Sequence, residues 1–364
     1  MELPTTSMLW IIGLGIHGVR GISFNSLEVL NNCSIIYVER YTCSISDAEL
    51  SDLAGLMGGN EKKSISLVQR WFLEDGREIL ENAKFKEVAL LTYGDPLVAT
   101  THVELLVRAV KNSIRVKVIH AASGLSSLAG EIGLHVYKFG RTVTITSEPQ
   151  SVVSVYSTIL DNLILGNHTM ILTEFNDRNG EDFFLDPGTA FKSLLESERD
   201  HMSYACHKET FAVVLSRIGS THQNMISGKV SSLMGLDYGI GPHTIIVTGF
   251  LHFSEVDALT TLTRNVDIPS DNTLHVQNKS ANMVERYVPK AKNAVSKIRA
   301  LLENELPTGE RKRLYEIVEN SEYYIEDAKR FLRTGRPELA VLSIGYAEGL
   351  LDAVGTNEQF ALWD

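Results

Sequence analysis

The sequence predicts an α/β fold in two domains, followed by a three-helix unit. Three observations carry this reading: apolar runs of strand length alternate with helical stretches over the first two-thirds of the chain, a polar interval follows, and the period then turns helical. Leu9–Leu14 is the first strand-length run and Ser34–Val38 the second, with a short helix at Ser26–Leu30 between them. Val88–Thr92 and Val116–Ile119 repeat the strand signal around a helical stretch at Glu104–Val110. Such alternation favours a mostly parallel sheet covered on both faces. A second block starts near Ser123. Its expected strands are Val143–Ile145, Thr169–Thr173, Phe211–Leu215 and Thr244–Val247, with helices at Val152–Leu160 and Ala190–Leu195. These blocks define domains over 8–121 and 122–262.

Residues 265–281 are polar, contain Pro269 and several Asn and Ser, and read as a flexible stretch within a 263–283 linker. Over 284–358 three apolar stripes recur at helical spacing. Val284, Tyr287, Val288, Ala291, Val295, Ile298 and Leu302 form one, while Leu314, Ile317, Val318, Ser321, Ile325, Ala328 and Phe331 form another. Leu339, Leu342, Tyr346 and Leu350 belong to a third. Pro307 with Gly309, and Thr334 with Gly335, separate them, and Pro337 suits the start of the third helix. The aromatic and Met residues on these stripes are expected in a core rather than at a cofactor.

Composition narrows the function. With 364 residues, 44% of them hydrophobic, the chain has ample material for a packed core. Its net charge of -11 argues against non-specific binding to nucleic acid or an anionic membrane, and leaves open a protein partner with a basic surface. Only Cys33, Cys43 and Cys206 are present, with no CxxC pair, which suits a reducing compartment and excludes a cysteine-built zinc or iron–sulfur site. No apolar run approaches transmembrane length, and residues 1–12 lack the flank and core of a leader, so a soluble, cytoplasmic protein is expected. Residues 1–7 read either as a lead outside the fold or as an early start ahead of Met8.

Gly13–Leu14–Gly15–Ile16–His17–Gly18 matches G-x-G-x-x-G after a strand, and Glu39 ends the next strand where a ribose-binding acid would stand. Taken alone, this suggests a nicotinamide or flavin enzyme. The context opposes it, because a dinucleotide loop feeds directly into a helix whose amide end receives the pyrophosphate. Here Val19, Arg20, Gly21 and Ile22 intervene, and Ser23 is the expected helix cap. The second glycine turn, Tyr93–Gly94–Asp95–Pro96, also follows a strand, and Thr101–Glu104 resembles a capping box. Asp95 either binds a ligand from a crevice-facing loop or caps its own turn. His120–Gly124 places small residues after a third strand, with room for a flat ring. His201 and His207 flank Cys206 without metal-ligand spacing, and neither His17 nor His102 has the setting of a general base. Sparse catalytic machinery is compatible with methyl transfer from a sulfonium, where alignment supplies much of the rate.

MLWIIGLGI at 8–16, ERYT at 39–42 and above all TYGDPLVATTH at 92–102 are similar to the diphthine synthases. So are IHAAS at 119–123, GLHVYKFG at 133–140, LSRIGS at 215–220 and GPHTIIV at 241–247, all in order across residues 8–262. The resemblance implies a class III, tetrapyrrole-methylase-like methyltransferase fold: two α/β domains with S-adenosylmethionine in the cleft between them, bound without the dinucleotide mode. It further implies that Ile16 borders the cleft, that Asp95 and Val98 lie in the main ligand turn, and that Ser123 and Gly124 contribute from the next loop. Thr173, Ile218 and His243 are implied from the second domain. The implied reaction is N-methylation of the 3-amino-3-carboxypropyl-histidine of translation elongation factor 2, giving diphthine, by a homodimer that needs no metal. SIRVKV at 113–118 departs from the pattern by lacking a small connecting turn. Residues 284–354 resemble an archaeal helical domain of uncharacterised function, for which docking to a protein partner is slightly favoured over dimerisation or a structural role. The competing readings are a corrin or tetrapyrrole methyltransferase, a dinucleotide-dependent oxidoreductase and a non-enzymatic adapter.

Overall fold

The computed structural model describes residues 7–42, 45–58, 64–178, 181–304 and 308–358. Residues 1–6, Cys43 and Pro307 lie outside the described residues. The chain divides into two compact units, one within residues 1–162 and 167–271, the other comprising Leu163–Gly166 and the chain from Asn272.

The first unit opens with β1 (Met8–Gly13), α1 (Phe24–Asn32), β2 (Ile35–Glu39), α2 (Asp47–Leu56) and β3 (Ser64–Val68). Then come α3 (Arg70–Asp75), α4 (Arg77–Ala83), β4 (Glu87–Thr92), α5 (His102–Lys111) and β5 (Val116–Ile119). The five strands form one parallel sheet in the order β3-β2-β4-β1-β5. Period-two alternation explains why its strands read as continuous apolar runs. Leu9, Ile11, Val88 and Leu90 pack with Ile79 and Leu105 on one face, while Ile12, Ala89 and Leu91 pack with Leu30 and Leu53 on the other. Ser113, the first residue of SIRVKV, takes a left-handed φ of 56° in the link into β5, so a connecting turn is present there.

The second part of this unit contains α6 (Gly124–Glu131), β6 (Val143–Ile145), α7 (Pro149–Ile164), β7 (Thr169–Thr173), β8 (Phe175–Arg178) and β9 (Glu181–Phe184). It continues with α8 (Pro187–His201), β10 (Phe211–Ser216), β11 (Asn224–Lys229), α9 (Val230–Leu233), β12 (His243–Val247), α10 (Phe253–Leu262) and β13 (Arg264–Asn265). A six-stranded mixed sheet runs β13-β11-β10-β12-β7-β6, and β8 and β9 make a separate hairpin. Here β10 is antiparallel to both β11 and β12, which makes this second sheet mixed where the first is parallel. Leu128, Ile132, Met170, Phe211, Val213, Ile246 and Leu259 form its core.

The second unit is three helices: α11 (Thr273–Asn304), α12 (Thr308–Arg333) and α13 (Pro337–Glu358). Two expectations are corrected here. The supposed linker is mostly structured: β13 pairs with β11, Asp267 accepts from Lys229 N–H, and α11 is already helical from Thr273. A two-residue strand in a polar segment leaves no periodic signal. The third stripe is also shifted. Ala340, Ile344, Ala347, Leu351 and Val354 are buried, whereas Leu342 and Tyr346 are each 58% exposed. Small alanines let the helices approach closely, and bulk alone misidentified the buried face. Among the described residues, no helix is long and apolar enough to cross a membrane.

Candidate functional site

In an open parallel sheet, ligands bind beyond the carboxyl ends of strands whose connections diverge. In the first sheet the loops after β1, β4 and β5 lie at that edge. The first two are tied to each other. Gly15 N–H donates to Gly94 O and Gly94 N–H to Gly15 O, both at 3.1 Å, while Leu14 N–H donates to Thr92 O. A Cβ on Gly13 would stand 2.5 Å from Gly94 O, so glycine is required for this close approach. Loop amides spent in this way cannot cradle a pyrophosphate. The chain then makes a short 3-10 turn at Gly18–Gly21 before α1, which Ser23 caps through Ser26 N–H. Glu39 is likewise withdrawn: it is buried, Thr42 Oγ1 donates to one oxygen, and the other, 3.3 Å from His102 Nε2, is shut away from solvent without a hydrogen bond among the described residues. The dinucleotide reading fails on both counts.

Asp95 is held by three donors. Its Oδ1 accepts from Leu97 N–H at 2.9 Å, and its Oδ2 accepts from Ala121 N–H at 3.2 Å and faces His120 Nδ1 at 2.8 Å. It therefore both caps its own turn and ties that turn to the loop after β5. Ser123 opens α6 as its N-cap, accepting from Leu125 N–H. The expected capping box at the start of α5 is absent. Thr101 makes no cap bond, and its hydroxyl meets Tyr41 Oη instead, at 2.9 Å.

These loops line a cavity of about 520 Å³, within the roughly 300–1,000 Å³ range of small-molecule sites. Ile16, Asp95, Val98, Ser123, Gly124 and Ile218 all border it. Thr173 and His243 do not. The pairing of β7 with β12 sets Leu172 opposite Thr244, and those two residues face the cavity. Their neighbours Thr173 and His243 point to the opposite face by strand alternation. Thr173 Oγ1 donates to His243 O, and His243 Nδ1 bonds Ser216 Oγ at 2.8 Å. Burial first, and then the Arg217 charge, push the His243 imidazole down to about 4, so it is neutral near pH 7.

Several wall residues were not expected, among them Thr42, Glu49, Tyr93, Ala99 and Arg217. Tyr93 Oη donates to Glu49 Oε1 at 2.7 Å. Arg217 donates to the carbonyls of His222, Tyr238 and Ile240, drawing two loops together. Both Ala99 and Arg217 have left-handed backbones, φ 56° and 53°. Strain of this kind gathers at ligand sites, but one sequence read alone gives no sign of it. The motifs GDPLVATTH and LSRIGS did contain both residues. Beside the wall residues Ile16 and Ile218, His17 Nδ1 lies 2.6 Å from Gly219 O, where a Cβ on Gly219 would meet Ile16 O at 2.5 Å. It clasps two loops.

Away from the cavity, the Cys206 thiol is fully buried and pushed up to about 12 by that burial, so it is no nucleophile. His201 Nδ1 bonds Ser197 O at 2.9 Å. Among the described residues, no group of three or more His, Cys, Asp or Glu side chains is placed to hold a metal ion.

Comparison with known proteins bears on this architecture. Residues 8–234 match the family described as tetrapyrrole (corrin/porphyrin) methylases, and residues 286–358 match a family described only as protein of unknown function (DUF357). Diphthine synthase from Methanothermobacter thermautotrophicus is 35% identical over 254 residues, covering 69% of this chain and 94% of that one. Diphthine synthase from Methanocaldococcus jannaschii is 34% identical over 262 residues, covering 71% of this chain and all of that one. A crystal structure from Entamoeba histolytica, whose description names diphthine synthase, superposes with a TM-score of 0.63 at 30% identity, covering 71% of this chain and 98% of that one.

Proposed function

The chain belongs to the diphthine synthases within the tetrapyrrole methylase family, and from that premise we propose that it N-methylates the 3-amino-3-carboxypropyl-histidine of translation elongation factor 2, giving diphthine. The observation that carries this reading is the match that covers the whole length of a diphthine synthase, together with a tetrapyrrole methylase match over residues 8–234 that holds all the lining of the 520 Å³ cavity except Gly241, Pro242 and Thr244. S-adenosylmethionine supplies the methyl group as an electrophilic sulfonium. Ile16, Val98, Leu125 and Ile218 offer an apolar slot for the adenosyl part, with backbone groups near Asp95, Ser123 and Gly124 for its polar edges. Thr173 and His243 act from behind the wall, through the strand backbone.

The acceptor amine must be uncharged to react. It attacks the methyl carbon in line, the carbon–sulfur bond breaks with its electron pair left on sulfur, and the ammonium proton passes to solvent before another methyl is accepted. Alignment by the two tied glycine loops supplies the rate, and this chemistry requires no metal. The protein factor places the enzyme in the cytoplasm, and it acts there as a homodimer.

Mass spectrometry of elongation factor 2 tests the proposal directly. Incubation with the enzyme and S-adenosylmethionine is expected to add methyl mass only to factor already carrying the aminocarboxypropyl group. Equal incorporation into the unmodified histidine defeats it. Calorimetry is expected to show S-adenosylmethionine binding once per chain and no binding of NAD, and the reverse outcome defeats the assignment.

A further inference from the structure

A second hollow of about 380 Å³ adjoins the donor cavity, sharing with it the wall residues Ala99, Leu125 and Leu172. Apart from Val143 and Val155, its remaining lining is polar and carries one cation: Arg141, with Thr142, Thr144, Ser151 and Ser154. Arg141 stands on a fixed main chain. Its N–H donates to Asn162 Oδ1 at 3.2 Å and its carbonyl accepts from Asn162 Nδ2 at 3.0 Å. Asn162 is itself buried and also donates to Thr169 Oγ1. Among the described residues, no carboxylate pairs with the Arg141 guanidinium. In a chain of net charge -11, a guanidinium without an acid beside a hydroxyl-lined hollow is suited to a carboxylate from outside. The other guanidinium at the cavity, Arg217, is already spent on three carbonyls.

We propose that this hollow is the acceptor pocket and that Arg141 holds the carboxylate of the acceptor's amino-acid end. The inference rests on the function proposed above, which requires an acceptor with its amine and carboxylate on one carbon. With the carboxylate held at Arg141, the amine on the same carbon is directed at the shared wall, where left-handed Ala99 stands between the two hollows. Pairing the carboxylate also neutralises the charge that would otherwise keep a proton on the amine, and so favours the reactive form. Arg141 is therefore an acceptor-binding residue that also fixes which acceptors are accepted.

The test compares two acceptors on elongation factor 2: the aminocarboxypropyl-histidine and the same group with its carboxylate converted to a carboxamide. Initial methylation rates are measured for the wild type, Arg141→Gln and Arg141→Lys, with S-adenosylmethionine affinity measured separately. For the carboxylate acceptor, Arg141→Gln is expected to raise KM by about 10-fold, with donor affinity unchanged. The wild type is expected to prefer the carboxylate, Arg141→Gln to lose that preference, and Arg141→Lys to recover part of it. A change that merely disturbed the fold would not erase one preference selectively. Should Arg141→Gln misfold, the wild-type preference and the lysine variant still decide. An unchanged KM and preference in a folded Arg141→Gln overturns the inference alone. A wild type that methylates neither acceptor overturns the functional reading and this inference with it.

Discussion

At Asp95 one carboxylate joins two loops, since Leu97 N–H belongs to its own turn and Ala121 N–H to the loop after β5. Replacing it by Ala leaves two backbone donors unsatisfied near the cavity. Asp95→Ala is expected to lower folding stability by about 1–3 kcal/mol and to weaken S-adenosylmethionine binding as the loops separate. Urea titration and calorimetry measure the two effects, and a variant unchanged in both removes Asp95 from this role. His243 sets a pH dependence. Its folded pKa of about 4 lies below the ordinary 6.5, so the unfolded chain binds the extra proton, and stability is lost as pH falls from about 6.5 to 4. That loss amounts to at most roughly 3 kcal/mol. His243→Gln is expected to flatten the fall in melting temperature across that window, and an unaltered slope refutes the assignment. Six of the eight expected site residues border the cavity, and the two that do not sit one strand position away from residues that do. Resemblance locates a segment well, but which of two neighbours faces a ligand depends on strand pairing. The same limit hid Ala99 and Arg217, whose significance is conformational.

The elements most legible beforehand were those buried on both sides, such as β1, β4 and β10, where apolar runs leave little choice of structure. The polar strand β11 and the hairpin of β8 and β9 gave no such signal, because their polar and charged residues leave no apolar run although each pairs with a strand near it in sequence. The segment GLHVYKFG has a role that composition does not disclose. The buried Glu255 at the start of α10 receives the Lys138 ammonium, His135 N–H, His252 N–H and His168 Nε2. Gly249 N–H donates to His168 Nδ1, so the His168 proton sits on Nε2 and points at the carboxylate. Burial works to raise the Glu255 carboxyl, but these four donors outweigh it and hold it at about 2. Glu255→Gln sets an amide among donors and is expected to cost about 3 kcal/mol at pH 7. Because the depressed pKa contributes stability above about 4.5 that is lost towards pH 2, wild type and variant should converge in acid. Parallel stability curves down to pH 2 show that α10 is not anchored by this carboxylate.

For the whole molecule, the question is what residues beyond 271 contribute. The three helices bury their own cluster, from Val284 through Ile298 and Val318 to Val354, and every residue lining the 520 Å³ cavity lies between Ile16 and Thr244. The catalytic unit therefore has its own core and its own site. Its boundary matters, because β13 and Asp267 belong to the second sheet. Cutting after Leu262 would strip an edge strand and expose the β11 edge, whereas cutting after Asp271 leaves the sheet whole. The chain ending at Asp271 is expected to fold, to bind S-adenosylmethionine with unchanged affinity, and to keep its maximal turnover. If the helices dock elongation factor 2, KM for the factor rises while the transfer barrier stays the same, since the lost binding is equal in ground and transition states. The deciding comparison is calorimetry with the donor plus initial rates over a range of factor concentrations, for the full chain and the chain ending at Asp271. Loss of donor binding or of maximal turnover assigns the helices to the active site. Identical constants throughout remove the docking role and leave the helices to a different partner.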